Sequence, residues 1–553
     1  VLTWCFSYSY MPSSNLALNR ESPLPSLARD WAGMQAASAA EPFDLLVIGG
    51  GITGAGIAHF GASAGLRTAL IEADDFGSGT SSRSTKLIHG GLRYLAMGEV
   101  SLVREAALER KTLHQIAPHL AEPRWMVLPS DSKLDYLKYR AGVTLYQMLG
   151  QVADDDRFHR DREHDPVALE PTFNWSRYPH ACIYREYLTD DARLVLATLR
   201  SAVAEGARVL SYARATAIHP DAVTVTDASG AEAPIDLKAR CIVNATGPWA
   251  ESLLPAQEGE PRLRLSKGVH VVLSQDKLPV RNLVMIEADD GRLMFVIGRG
   301  RYTYVGTTDT RYDGAPATWP KVEAEDVEYL LAPLKRYFPE HPVDSDDVLA
   351  AWAGLRPLIN EPGKAPKEMS RKDEIWQDGN FITIAGGKLT GHRHMAGDVM
   401  ARIGTTLGRE MPAELPVAPL RGGDLAAVGV ASVAELATAV ASRYQQPEAV
   451  AQRLVRIYGS EVFDVLGSAP ASLSASLFRE EVEWGVRQEG AETLEDLVYR
   501  RLRAAWFAPA ELLDALPALA ALMAGLKGWD AAEQARQLAA TRARLEDDLS
   551  FQD

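Results

Sequence analysis

The chain has 553 residues, 46% hydrophobic and 24% charged, enough for roughly three to four units of ordinary size and unlike a disordered or fibrous chain. A formal net charge of −15 repels nucleic acid and anionic lipid at long range, and no block of Lys and Arg offsets it, so nucleic acid is not expected as a partner. The three cysteines, Cys5, Cys182 and Cys241, lack CxxC spacing and fit a reducing compartment better than a secreted disulfide framework.

Residues 1–40 carry aromatics and serines but no basic n-region, long apolar h-region or acid-free Arg-rich pattern. They are expected to be a disordered extension, the first 33 being either poorly ordered or upstream of the native start. From Asp44 the pattern is strand, glycine turn, helix over roughly residues 53–64 and a second strand (RTALIEA). This βαβ unit predicts a parallel sheet with a right-handed crossover. The stretch from Leu45 to Leu66 has no charged residue, yet its seven glycines make a poor membrane helix and a good strand, tight turn and closely packed helix.

Helical periodicity recurs at 101–116 and 191–204, the latter with Asp190 or Asp191 as N-cap. Between 205 and 310 the texture changes to short β-type runs punctuated by Gly, Asp and Pro. Beyond about 415 the spacing is helical again, with capping-box patterns at Thr493–Asp496 and Asp530–Glu533. The apolar run 515–526 is about half a bilayer long and carries Pro517, so it reads as a core helix, with an interfacial helix as the alternative.

Gly49-Gly50-Gly51-Ile52-Thr53-Gly54 follows the first strand and opens the helix, and Glu72 ends the next strand. Gly49 suits the turn, Gly51 pyrophosphate approach, Gly54 helix–strand contact and Glu72 ribose hydroxyls, while the helix N-terminus offers unpaired N–H groups to phosphate. The pattern predicts a dinucleotide site. Glu72 argues against NADP, whose 2′-phosphate it would repel, and leaves FAD and NAD open. A second strand ends in Asn244-Ala245-Thr246-Gly247, where small residues let a ligand come close.

In SSRSTKLIHGGLRYL (81–95), Arg83, Lys86, His89 and Arg93 crowd around Gly90-Gly91, which predict a bend able to gather N–H groups and cations around an anion. Arg356 in AGLRPLI and Lys388 in IAGGKLT sit in apolar or glycine-rich settings, and a buried cation needs a fixed counter-ion, for which Asp309 in VGTTDT is a candidate. His89 suits a base that removes a hydroxyl proton, since imidazole titrates at about pH 6.5. No metal is expected: His392 and His394 lie two apart with no acid or thiol at useful spacing. No nucleophile elbow is expected: the G-x-S-x-G match at 61–65 (GASAG) ends the predicted helix instead of following a strand.

Taken in order, DLLVIGGGITGAGIA, IEADDFGSGTSSRSTKLIHGGLRYL, TDDARLVLATL, NATGPW, VGTTD, GLRPL and GGKLT closely resemble the FAD-dependent glycerol-3-phosphate dehydrogenases, within a wider flavoprotein group that includes amino-acid oxidases. The likeness continues through YGS (458–460) and TLEDLVYRRLR (493–503). It implies an α/β plus α architecture: a Rossmann-like FAD-binding domain from 41–125, 181–260 and 350–405, an inserted β-rich substrate domain from 126–180 and 261–349, and an all-helical C-terminal domain at 415–553. It implies oxidation of sn-glycerol 3-phosphate to dihydroxyacetone phosphate by hydride transfer from C2 to FAD, with electrons passed to a membrane quinone by an enzyme peripheral on the inner face of the cytoplasmic membrane. By motif match, His89 and Arg356 would sit by the reacting C2 hydroxyl. Arg93, Tyr94, Lys388 and Arg371 would hold the substrate, chiefly through its phosphate. Gly49, Gly51, Gly54, Glu72, Thr80, Ser81, Ser82, Ala245, Gly247 and Gly387 to Thr390, with Leu389 and the Lys388 backbone, would contact FAD. The helix after Gly387 would turn its positive end toward the flavin pyrimidine. After GGKLT the family often continues with threonine or tyrosine and then arginine, where this chain has Gly391-His392-Arg393. An oxidase using O2 and a flavin-binding module without turnover are the alternatives, and the oligomeric state stays open, a homodimer being one candidate.

Overall fold

The computed structural model describes residues 24–90, 100–149, 165–255, 261–360 and 373–552. The chain begins with α1 (Trp31–Ala40), then β1 (Phe43–Ile48), α2 (Ile52–Ser63), β2 (Thr68–Ile71), the short β3 (Leu87–Ile88), α3 (Val100–Ile116), β4 (Glu122–Ser130), α4 (Lys133–Leu149), β5 (His180–Leu188) and α5 (Asp191–Ala204). Next come β6 (Arg208–Leu210), β7 (Ala213–Ile218), β8 (Ala222–Asp227), β9 (Ile235–Asn244), β10 (Leu263–Ser274), β11 (Leu283–Glu287), β12 (Leu293–Arg299), β13 (Tyr302–Gly306) and β14 (Thr310–Tyr312). Then β15 (Val348–Ile359), β16 (Asp373–Asp378), β17 (Phe381–Gly386) and α6 (His392–Leu407) lead into a helical C-terminal region.

Two sheets organise these strands. The first runs β16-β17-β9-β1-β2-β6, with β8 pairing β9 and β7 pairing β8. Its centre is parallel, as the βαβ pattern predicts: Leu45 pairs Thr68 and Cys241 on its two sides. Both faces of β1 are buried, so it reads as one apolar run rather than an alternation. The second sheet runs β14-β10-β13-β12-β11-β4-β5-β3, with β15 also pairing β10. The β-type texture at 205–310 is therefore divided: β6 to β9 extend the first sheet, and β10 to β14 build the second.

Residues 24–40 correct the expectation of a disordered extension. Asp30 caps α1 by accepting from Gly33 N at 2.9 Å, and Trp31 and Met34 pack into the apolar cluster of Phe43, Leu46 and Ile242. Leu27 is fully buried and its N–H donates to Gln488 O at 3.0 Å. A weakly patterned helix is stabilised here by what it covers. Residues 1–23 lie outside the described residues.

The expected caps are present: Asp190 accepts from Arg193 N, Asp530 from Glu533 N, and Thr493 and Asp496 form a reciprocal capping box. Among the described residues, two segments, Ala426–Tyr444 and Pro509–Lys527, are long and apolar enough to cross a membrane by length and composition. The latter, which contains Pro517, lays Leu512, Leu516, Leu519 and Met523 into the core, as the reading of 515–526 as a core helix anticipates.

The C-terminal region is fastened by buried charge to the loop after β2 and to the start of α5. Arg500 and Arg501 both pair with Asp75, and Arg503 pairs with Asp190 at 3.0 Å and Asp191 at 2.9 Å. All six side chains are buried.

Candidate active site

β1 delivers Gly49 to the edge of a cavity. Gly49 has φ +111°, and a Cβ there would lie 2.6 Å from Ala245 O, so both conformation and close approach demand glycine. Gly51 caps α2 without a side-chain hydrogen bond, and the Ser81 hydroxyl accepts from Ile52 N at 2.9 Å. Gly54 stands behind the turn, where a Cβ would be 1.9 Å from Gly49 O, so it serves packing and does not line the cavity. Glu72 accepts from Gly50 N at 2.6 Å and Asp74 N at 2.9 Å. Burial pushes its pKa up to about 7, against the pull of those two N–H groups and with the help of Asp74 and Asp75.

Three other strands bring the reacting residues. His89 follows β3 and is half-buried, its ring 5.9 Å from that of Phe295. Arg356 lies on β15, where Nη1 donates to Thr308 O at 3.1 Å and Nη2 to the Thr307 hydroxyl at 2.8 Å. Asp309 pairs with it at 3.3 Å, the internal counter-ion expected from sequence. Lys388 follows β17 through Gly386 and Gly387, both at positive φ, and precedes the 3-10 turn Leu389–Gly391 that leads into α6.

These groups share one cavity of about 410 Å³, in the range of small-molecule sites. Of the residues singled out from sequence, His89, Arg356, Lys388, Gly49, Gly51, Glu72, Thr80, Ser81, Ala245, Gly247, Gly387, Leu389 and Thr390 line it. Ser82 does not: it is buried, with its hydroxyl 3.4 Å from Gly79 O. Arg93, Tyr94 and Arg371 lie outside the described residues.

Among the described residues of the cation-rich stretch, Arg83, Lys86 and His89 do not form one cluster. Extended backbone at Leu87–Ile88 sends successive side chains to opposite sides. Lys86, at φ 57°, turns away and donates to Asp191 at 3.1 Å and Ser82 O at 2.9 Å, between the Trp352 and Trp506 rings at 4.5 and 4.8 Å. Burial drives its pKa down to about 7, opposed by Asp191. Arg83 donates to Gly79 O at 3.1 Å and lies 3.9 Å over Trp319. Lys86 is thus a structural cation, whereas Arg83 lines the cavity with His89.

Sequence reasoning missed several contributors. Gly268 faces Arg356 so closely that a Cβ would lie 2.1 Å from Nη2. A lone glycine in the β-type run SKGVHVV is the available signal, since strand glycines often mark close approach. Asp74, Arg214 and Thr318 line the nucleotide end and join each other through Asp74, at 3.4 Å from Arg214 and 3.2 Å from Thr318. No local pattern announces that meeting of distant segments. Among the described residues no group of three or more His, Cys, Asp or Glu is arranged to hold a metal.

The sequence profile of the FAD dependent oxidoreductases matches residues 44–402, and that of the C-terminal domain of alpha-glycerophosphate oxidase matches residues 417–534. An aerobic glycerol-3-phosphate dehydrogenase of Staphylococcus aureus is 36% identical over 517 residues, 89% of this chain and 92% of the relative. The crystal structure of the glycerol-3-phosphate dehydrogenase from Bacillus halodurans complexed with FAD superposes with TM-score 0.74 at 31% identity, covering 94% of this chain and 97% of that one. L-proline dehydrogenase from P. horikoshii shares the fold alone, at TM-score 0.51 and 16% identity over 68% of this chain and 96% of that one. A likeness of this length and identity, running through both the oxidoreductase and the helical C-terminal regions, shows that the chain belongs to the FAD-dependent oxidoreductases, in the branch of the aerobic glycerol-3-phosphate dehydrogenases.

Proposed function

We propose that this chain binds FAD in the cavity and oxidises sn-glycerol 3-phosphate to dihydroxyacetone phosphate. The observation that carries the reading is that His89, Arg356 and Lys388, contributed by separate segments, open onto the same cavity as the Gly49–Gly51 turn and Glu72. The residues fit the cofactor. The open N-terminus of α2 suits a pyrophosphate, Glu72 the ribose hydroxyls, and the Gly386-Gly387 turn leaves room for a flat ring.

When bound, FAD supplies the acceptor for the hydride that leaves C2. The protein does the rest. Lys388, with Arg93, Tyr94 and Arg371 as further substrate ligands, holds the phosphate and thereby fixes C2. Arg356 is anchored by Asp309, Thr307 and Thr308, so it offers a fixed positive edge to the C2 oxygen as the carbonyl forms. His89 accepts the proton of the C2 hydroxyl. Thr80 donates to Leu355 O at 2.5 Å and so ties the segment on the cofactor side to the strand that carries Arg356.

A membrane quinone is the proposed electron acceptor, reached from a peripheral position on the inner face of the cytoplasmic membrane. The match of residues 417–534 to a domain described for an oxidase favours O2 as a second reading. Peroxide formation under air, set against reduction of a soluble quinone, separates the two. The substrate assignment is tested by anaerobic mixing of the yellow holoenzyme with glycerol 3-phosphate, glycerol and a panel of amino acids. Only glycerol 3-phosphate should bleach the flavin at low concentration, and bleaching by an amino acid instead would overturn it.

Glu72 makes cofactor affinity depend on pH. Its carboxyl is held near pKa 7 by burial, and ribose hydroxyls donating to it favour the charged form, so FAD binding releases a proton. Affinity should therefore weaken as pH falls below about 7, by up to about tenfold per unit until the pKa of the bound form is reached. Titration of apoprotein with FAD from pH 7.5 downward measures this, and Glu72→Gln should flatten the dependence.

A further inference from the structure

The residue after His89 is held by a buried polar group that does not line the cavity. Gly90 N donates to the Tyr146 hydroxyl at 3.1 Å. That hydroxyl accepts from Arg110 Nη1 of α3 at 2.7 Å and donates to Glu186 Oε1 of β5 at 3.2 Å. Arg110 and Glu186 complete the group as an ion pair of 2.9 Å. Tyr146, Arg110 and Glu186 are 1%, 4% and 2% exposed.

A phenolic hydroxyl has one proton and two lone pairs, and here all three are used: the proton toward Glu186, the lone pairs toward Gly90 and Arg110. The approach also leaves no freedom at position 90. A Cβ there would lie 2.3 Å from Tyr146 Cε2 and 2.5 Å from its oxygen. The ring is braced in turn, edge-on to Tyr184 at 6.1 Å and beneath the Arg110 guanidinium at 5.0 Å. A buried ion pair contributes little stability over an apolar filling of the same volume. What this one achieves is a fixed anchor for a main-chain N–H next to the imidazole. On the other side of His89, Leu87 and Ile88 are laddered to Leu188 and Tyr187 of β5, the strand that also carries Glu186.

Resting on the reading that His89 takes the C2 hydroxyl proton, we propose that Tyr146, clamped by Arg110 and Glu186, is the positioning residue that fixes His89 against the substrate. The main chain is then gripped on both sides of the histidine, by the β3–β5 ladder before it and by the Tyr146 hydroxyl after it. Displacement of a reacting group by about 1 Å can cost on the order of a hundredfold in rate, so the loss of one anchor should be visible in the chemical step.

The test is single-turnover flavin reduction by glycerol 3-phosphate in the holoenzyme, measured anaerobically for Tyr146→Phe, for His89→Asn and for the double variant. Tyr146→Phe keeps the ring and removes only the hydroxyl. The expected result is retained FAD, a limiting rate constant about tenfold lower and a half-saturating concentration changed less than about threefold. In the His89→Asn background the same substitution should change the rate by less than about twofold, because residues acting as one unit are not additive. Equal slowing in both backgrounds would mark general core damage and overturn the proposal, as would no slowing in either. His89→Asn running at the wild-type rate would instead overturn the role given to His89 itself. Should Tyr146→Phe fail to yield holoenzyme, Gly90→Ala, whose methyl would press on the hydroxyl end of the Tyr146 ring, is measured in the same two backgrounds with the same outcomes deciding.

Discussion

Arg501→Met should lower the stability of the protein by about 3 to 5 kcal/mol and yield largely colourless, FAD-poor material. Asp75 is fully enclosed, and burial alone would raise its pKa, but Arg501 and Arg500 override this and hold it below the usual carboxylate range. Arg501 Nη2 donates to Asp75 Oδ1 at 2.7 Å and to Glu489 O at 2.7 Å, and Glu489 in turn accepts from Arg193 of α5 at 2.6 Å. Removing one guanidinium leaves a buried carboxylate with half its compensation, which is where the large penalty of a broken buried pair arises. Asp75 also stands three residues after Glu72, in a loop where Gly77 N donates to Gly50 O at 3.0 Å, so its displacement reaches the nucleotide turn. Denaturant unfolding followed together with bound-flavin absorbance measures both effects. The exposed pair Arg536–Glu533 provides the contrast: solvent screening makes its removal nearly silent.

Gly268→Ala and Arg356→Ala should slow flavin reduction by the same factor, about 10² to 10³. The alanine methyl at position 268 would occupy the place of the Arg356 guanidinium, only 2.1 Å from Nη2. The guanidinium would have to leave its contacts with Thr307, Thr308 and Asp309, although every atom of Arg356 remains in the protein. A fixed charge beside the forming carbonyl oxygen is effective because its partners have already oriented it; a displaced one must reorganise during the reaction. Gly268→Ala retaining the wild-type rate would show that the orientation of Arg356 is immaterial.

Legibility in the sequence follows the range of the interactions. The Gly49–Gly54 turn, Glu72 and the caps at Asp190, Thr493 and Asp530 depend on neighbours in sequence, and the pattern alone places them. The association of Arg356 with Asp309 was accessible because both stand in apolar or glycine-rich runs where a lone charge needs a partner. By contrast, Lys86 and His89 share a basic-looking stretch but go to different surroundings, and only the β3–β5 pairing decides which of them faces the cavity. The addition of β4 and β5 to the second sheet is equally remote from local pattern. Arg500, Arg501 and Arg503 are buried beside counter-ions hundreds of positions earlier, Asp75 and Asp190, which Arg500 supplements with the nearby Asp496. α1 shows the same principle from the apolar side, its helix being fixed by the strands it covers.

The central claim is that one cavity holds both the flavin and the phosphate of a three-carbon substrate. A crystal structure of the holoenzyme with dihydroxyacetone phosphate tests it most directly. The account predicts a phosphate oxygen within about 3 Å of Lys388 Nζ, with the carbonyl oxygen toward Arg356 and His89. Product seated with its phosphate away from Lys388, and its carbonyl out of reach of both Arg356 and His89, would contradict it.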